Sequence, residues 1–210
     1  MSATGSRSGA PLPPTGWQTL GPFFPQALFR DGVDNDLRRR RAGAPPTARG
    51  VPIRLRGRVL EEGGGPCVNA LVEAWQADAG GRFRHPLDPD WREADPDFLG
   101  WGRALTDAAG RYEFLSVLPG GYRDAAGPRA PHVNLAVLAS GVMRRLVTTA
   151  FFPGFAAANA ADPVLSALPD PALRARLVAK DEGEAEGARI FRLDLVLRGD
   201  PETETPFFLD

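Results

Sequence analysis

Ile190-Phe191-Arg192-Leu193-Asp194-Leu195-Val196-Leu197 alternates its side chains near the C-terminus, and this period of two decides the fold class. Residues two apart on a strand share a face, so Phe191, Leu193, Leu195 and Leu197 form one apolar edge. Working outward, the same signal recurs at Ile53, Leu55 and Val59, at Leu71–Trp75, at Gly102–Thr106 and at Tyr112–Val117. It returns at His132–Leu138 and Leu146–Phe152, with Gly, Pro and Asp between the runs. Asp170–Ala179 differs: it opens with Asp-Pro and sets Leu173, Leu177 and Val178 at helical spacing, which predicts one short helix near the C-terminus. Many short strands and few helices predict an all-β protein, an antiparallel β-sandwich or open barrel, with no internal repeat and no second domain.

The 210 residues are 43% hydrophobic and 24% charged, enough apolar surface to offset the entropy of ordering a core. Lys plus Arg number 25 against 26 Asp plus Glu, so no global positive field favours nucleic acid. With 24 Gly and 21 Pro, about a fifth of the chain, the sequence is turn-rich without being of low complexity. Cys67 stands alone, which excludes an intrachain disulfide and a C-x-x-C site. No run approaches a membrane span, and the first residues lack an apolar signal core, so the expectation is a cytoplasmic protein.

Residues 1–16 read as a disordered tail rich in small polar residues. Residues 17–50 read as an extended arm: Trp17 to Phe29 is apolar and aromatic, while Gly21, Pro22 and Pro25 forbid a regular element. The basic run Arg38 to Arg41 reads as a solvated loop, and residues 51–210 form the sandwich domain.

Chemistry must come from few groups, since only His85, His132, Tyr112, Tyr122 and Lys180 supply imidazole, phenol or amine. His132-Val133-Asn134 lies within a predicted strand, so His132 and Asn134 share a face, as two ligands of one metal would. An amide oxygen replaces imidazole poorly on a transition metal, and His132 can equally be a buried structural residue.

Trp75-Gln-Ala-Asp-Ala-Gly-Gly-Arg-Phe-Arg-His85, Gly110-Arg-Tyr-Glu-Phe114, Leu118-Pro-Gly-Gly-Tyr122 and Ala130-Pro-His-Val-Asn134 follow one another in order. Together they resemble the successive motifs of the intradiol ring-cleaving dioxygenases, from about Trp17 to the C-terminus. The resemblance implies a prealbumin-like sandwich and, in catalytic members, a ferric ion held by two Tyr and two His. Those four positions fall here on Phe83, Tyr122, His132 and Asn134, so one phenol and one imidazole remain and this chain is expected to hold no iron.

Within the family, Thr19-Leu-Gly-Pro-Phe23 and Glu204-Thr-Pro-Phe-Phe-Leu-Asp210 are similar to the alpha chain of a two-chain member whose beta chain carries the iron. The resemblance then implies a hetero-oligomer of αβ units acting on an aromatic dihydroxy acid, while the charge balance and the lack of an apolar span predict no nucleic-acid or membrane partner. Thr19, Gly21, Pro22 and Phe23 would line the substrate pocket of the partner chain. Ser140 stands where some alpha chains place an Arg toward the substrate carboxylate, and no residue of this chain would be catalytic. Two other readings are a stand-alone transthyretin-like binding module and a self-sufficient enzyme that recruits Tyr112 and His85.

Overall fold

The computed structural model describes residues 30, 32–142 and 144–208. Strand β1 (Pro52–Leu60) is the spine of the first sheet. It pairs antiparallel with β4 (Arg111–Val117) along one edge. Its other edge meets β10 (Ala188–Arg192) and then β11 (Leu195–Val196), both parallel to it. β9 (Lys180–Ala185) closes this sheet beyond β10. The second sheet runs β3 (Trp101–Leu105), β2 (Leu71–Trp75), β7 (His132–Leu138), β8 (Leu146–Phe151), all antiparallel. A hairpin of β5 (Tyr122–Asp124) and β6 (Gly127–Arg129) stands apart.

The sandwich follows from the alternation. Ile53, Leu55 and Val59 of β1, Phe114 of β4, Val72 of β2 and Val133, Leu135 and Val137 of β7 are buried together between the sheets. Each large side chain so buried contributes roughly 1.5–3 kcal/mol. The outer face of β1 carries Arg54, Arg56 and Arg58 instead, paired with Glu113 and Glu186, Glu182 and Asp194.

Three differences from the sequence reading have local causes. The run Ile190–Leu197 is two strands, because at Leu193-Asp194 the Asp194 carboxylate takes the N–H of Arg58 at 2.9 Å, in place of a ladder carbonyl. Three short helices stand where one was expected: α1 (Ala156–Ala161), α2 (Pro163–Ala167) and α3 (Pro171–Arg176). α2 and α3 are both opened by an aspartate accepting a backbone N–H, Asp162 from Val164 and Asp170 from Ala172. The basic run is only half solvated: Arg38 and Arg39 both bind the buried Asp36, while Arg40 and Arg41 are exposed. Leu37 beside them is fully buried and donates its N–H to Leu115, so this end of the 17–50 segment is packed on the sheet.

The helices after β8 create a second, small core on the outer face of the second sheet, where Phe151 packs with Ala130, Leu165 and Leu177. His132, the register partner of Phe151, faces this side and not the main core.

Candidate functional site

The loop after β2 delivers Phe83, and the Gly120-Gly121 turn leads into Tyr122 at the start of β5. After β2 the chain passes Gln76, whose buried amide donates to the Val117 carbonyl at 2.9 Å and accepts from the Ser116 hydroxyl at 2.8 Å. Asp78 follows, buried, with one carboxylate oxygen accepting the N–H groups of Gly80 at 2.8 Å and Arg82 at 3.0 Å. The other oxygen accepts the N–H of Asp95 at 2.7 Å. The Asp78 carbonyl takes the N–H groups of Gly81 and Gly120, tying the loop to Gly120-Gly121. The contact is backbone on backbone: a Cβ at Gly81, where φ is +80°, would lie 2.2 Å from the Gly121 oxygen. A Cβ at Gly120 would lie 2.4 Å from the Gly81 nitrogen. Only glycine fits either place. The interlock sets Phe83 edge-on to Tyr122, ring centroids 5.1 Å apart at 85°. Trp75 lies parallel to Phe83 at 5.9 Å, and His85 meets Trp75 edge-on at 6.1 Å.

Strand β7 delivers His132 and Asn134 to one face of the second sheet, as the period of two requires. The His132 Nδ1–H donates to the Ala130 carbonyl at 2.6 Å, which leaves Nε2 as an acceptor. The Tyr122 hydroxyl points to that Nε2 across 3.5 Å, well beyond a strong O–H donor distance. Burial holds the imidazole neutral, its pKa pulled down to about 4, and burial likewise pushes the Tyr122 phenol up. The Asn134 amide oxygen accepts the Thr149 hydroxyl at 3.1 Å, across the β7–β8 ladder.

Arg129 completes the cluster. Its Nε binds Asp162 at 3.0 Å and its Nη1 binds Asp124 at 3.1 Å, with the guanidinium 5.8 Å from the Tyr122 ring centroid. Asp162 is wholly buried and also accepts the Ala130 N–H at 2.9 Å, fixing the start of β7 against α2. The sequence reading missed this pair. Its signal was available, since Asp162-Pro163 repeats the Asp-Pro start read at Asp170-Pro171.

An open cleft of about 590 Å³ lies over Trp75, Phe83, His85, Tyr122 and Arg123, with Gly81 and Gly121 in its wall. A second of about 490 Å³ lies over Trp75, Trp101, Asn134 and Arg145.

The residues at the four positions that the resemblance assigns to ligands do not fit ferric iron. Phe83 offers no donor, the Asn134 oxygen is a neutral amide already bound to Thr149, and one phenol with one imidazole leaves the ion's charge and coordination unmet. Nor do the other two candidates meet. Tyr112 is buried in the main core and donates its hydroxyl to the Leu193 carbonyl at 2.7 Å, whereas His85 is on an exposed loop. The recruited Tyr112 and His85 site is therefore not formed. Cys67 is buried, its thiol pushed up to about 11 first by burial and then by Glu61, which makes it a poor nucleophile. Ser140 is exposed in the turn after β7 and lines neither cleft. Thr19, Gly21, Pro22 and Phe23 lie outside the described residues.

A family model described as Dioxygenase matches residues 20–199. The chain is 36% identical over 202 residues to a protocatechuate 3,4-dioxygenase alpha chain of Pseudomonas putida, covering 94% of this chain and 96% of that one. It is 42% identical over 159 residues to a protocatechuate 3,4-dioxygenase beta chain of Burkholderia cepacia, covering 71% of this chain and 66% of that one, just under two thirds. Among solved structures it resembles the dioxygenase domain of a dioxygenase carbohydrate-binding protein fusion from Streptomyces sp. SirexAA-E. That likeness has a TM-score of 0.55 at 26% identity, over 89% of this chain and 99% of that one.

Proposed function

The chain belongs to the intradiol ring-cleaving dioxygenases, and from that premise we propose that it is the subunit of such an enzyme that holds no iron. In this reading it pairs with a protocatechuate 3,4-dioxygenase beta chain, and that beta chain carries the ferric ion. The assembly cleaves 3,4-dihydroxybenzoate with dioxygen to 3-carboxy-cis,cis-muconate. One observation carries the reading: a phenyl ring and an amide occupy two of four ligand positions while the loops and strand that present them remain built. Near-complete coverage of an alpha chain supports it, although the shorter match to a beta chain has the higher identity.

The role of this chain is then to shape and stabilise. Residues 17–50 serve as an arm whose Thr19, Gly21, Pro22 and Phe23 line the partner's substrate pocket through backbone groups and small bulk. With Ser140 at the position implied for an Arg, the guanidinium that would meet a substrate carboxylate comes from another residue. A cytoplasmic location fits the single, buried Cys67, and no helix among the described residues is long and apolar enough to cross a membrane.

Co-expression with an intradiol beta chain, followed by size analysis and oxygen uptake on 3,4-dihydroxybenzoate, tests the reading. A stable complex, coloured and active, with iron equal to the number of beta chains is the expected result. A monomer that ignores the beta chain overturns the reading in favour of a stand-alone transthyretin-like module.

A further inference from the structure

The basic run Arg38 to Arg41 divides by where its charges go. Arg38 and Arg39 bind the buried Asp36, each at 2.9 Å. Arg40 and Arg41 are exposed, and exposed Arg84 lies beside them, its Nη1 donating to the Arg40 carbonyl at 3.2 Å and to the Pro96 carbonyl at 2.9 Å. Among the described residues none of these three meets a carboxylate. Pairing is the habit elsewhere: on the outer face of the first sheet Arg54, Arg56, Arg58 and Arg192 each reach a Glu or Asp. Arg38 and Arg39 also more than neutralise Asp36, so the excess stays positive even with Asp97 beside Pro96 counted.

The charges sit on a fixed loop. Arg39 and Pro46 form an antiparallel bridge, the Ala48 N–H donates to the Arg38 carbonyl at 3.2 Å, and the Ala44 N–H donates to the Arg41 carbonyl at 3.0 Å. The Arg39 guanidinium closes the loop from within on the Ala44 carbonyl. The backbone is thus ordered before a partner arrives, which lowers the cost of binding. Guanidinium forks take carboxylates two bonds at a time, and Arg is enriched at protein interfaces where Lys is depleted. Three forks on a chain of net charge -1 are too few for the many phosphate contacts of nucleic acid, but they match a short acidic stretch of protein. The loop also belongs to residues 17–50, the segment assigned above to contact with the partner chain, and Arg84 follows Phe83 directly.

We propose that Arg40, Arg41 and Arg84 form a docking patch for an acidic stretch on the surface of the beta chain. The proposal rests on the reading that this chain pairs with such a chain.

The full chain and an intradiol beta chain, purified separately, are mixed, and their association is followed by light scattering in about 50 mM and about 500 mM NaCl. The wild-type pair is expected to associate at least about tenfold more weakly in the higher salt, because screening weakens contacts between exposed charges. Arg40→Glu/Arg41→Glu is expected to weaken association at least about tenfold in the lower salt and to remove most of the salt dependence, with Arg40→Gln/Arg41→Gln falling between. Arg144→Glu/Lys180→Glu makes the same charge change at two exposed cations outside the patch and is expected to stay within about twofold of wild type. Circular dichroism and urea denaturation confirm that each variant is folded. Equal weakening by the two Glu pairs, or no weakening by the first, overturns the patch. Self-association of this chain, or retention of a duplex DNA probe, that Arg40→Glu/Arg41→Glu abolishes also overturns it, since the occupant is then a second copy or nucleic acid. A wild-type chain that ignores the beta chain in both salts overturns instead the underlying reading, so the two failures are separable.

Discussion

The half of the cluster set by the glycine interlock, Phe83 on its loop and Tyr122 at the start of β5, and the half on β7, His132 and Asn134, hold their places by different physics. The loops depend on close backbone contact at Gly81 and Gly120 and on the buried Asp78 carboxylate. The strand depends on ladder register with β2 and β8, a backbone pairing that most side chains leave intact and proline would break. In the function proposed, each half has nevertheless lost one donor. Each replacement has also found a partner within the chain, Phe83 in its rings and Asn134 in Thr149. The chemistry of the site is thus separable from its scaffold, and a chain can shed the first without relaxing the second.

Breaking the loop half has the largest expected effect. Gly81→Ala forces a Cβ onto the Gly121 carbonyl in a left-handed backbone and is expected to lower the unfolding free energy by roughly 2–4 kcal/mol, read by urea denaturation. A comparable Asn134→Ala change should cost about 1 kcal/mol, the worth of one ordinary hydrogen bond on a ladder that stays intact. Equal losses would show that both halves are held alike.

The strand half titrates. Burial depresses the His132 pKa from 6.5 to about 4, so the folded state refuses a proton that the unfolded chain accepts. Its contribution is fully present above pH 6.5 and is lost as the pH falls from 6.5 toward about 4, with a slope of at most about 1.4 kcal/mol per pH unit. His132→Gln removes that component from the stability curve while the carboxylate contributions remain. An unchanged curve would place the imidazole in solvent.

The hydroxyl that bridges the halves contributes least. Tyr122→Phe is expected to change stability by about 0.5 kcal/mol or less, because at 3.5 Å the bond to His132 is weak. A loss of several times that would mean the pair closes to a short bond in solution.

Apolar alternation or runs made β1, β2, β3, β4, β7 and β8 legible to within a residue at each end: β1, β3 and β4 alternate buried with more exposed residues, whereas β7 and β8 are apolar runs buried on both faces. β9 gave no such signal, since all six of its residues are exposed. The β5–β6 hairpin strands, at three residues each, are too short to show a period. α1 is built almost wholly of Ala, which leaves its faces alike. The parallel pairing of β1 with β10 and β11 depends on contacts far apart in sequence, which periodicity does not carry. At the site, Phe83 and Asn134 could be singled out from ordered motifs, whereas the Thr149 partner of Asn134 belongs to the register of another strand.

The central claim is that this chain keeps the scaffold of a ferric site without holding the ion. Metal analysis and visible absorption of the chain purified alone, after growth in iron-rich medium, test it most directly. A colourless protein with far less than one iron per chain is predicted. Stoichiometric iron with a phenolate-to-iron charge-transfer band would contradict it.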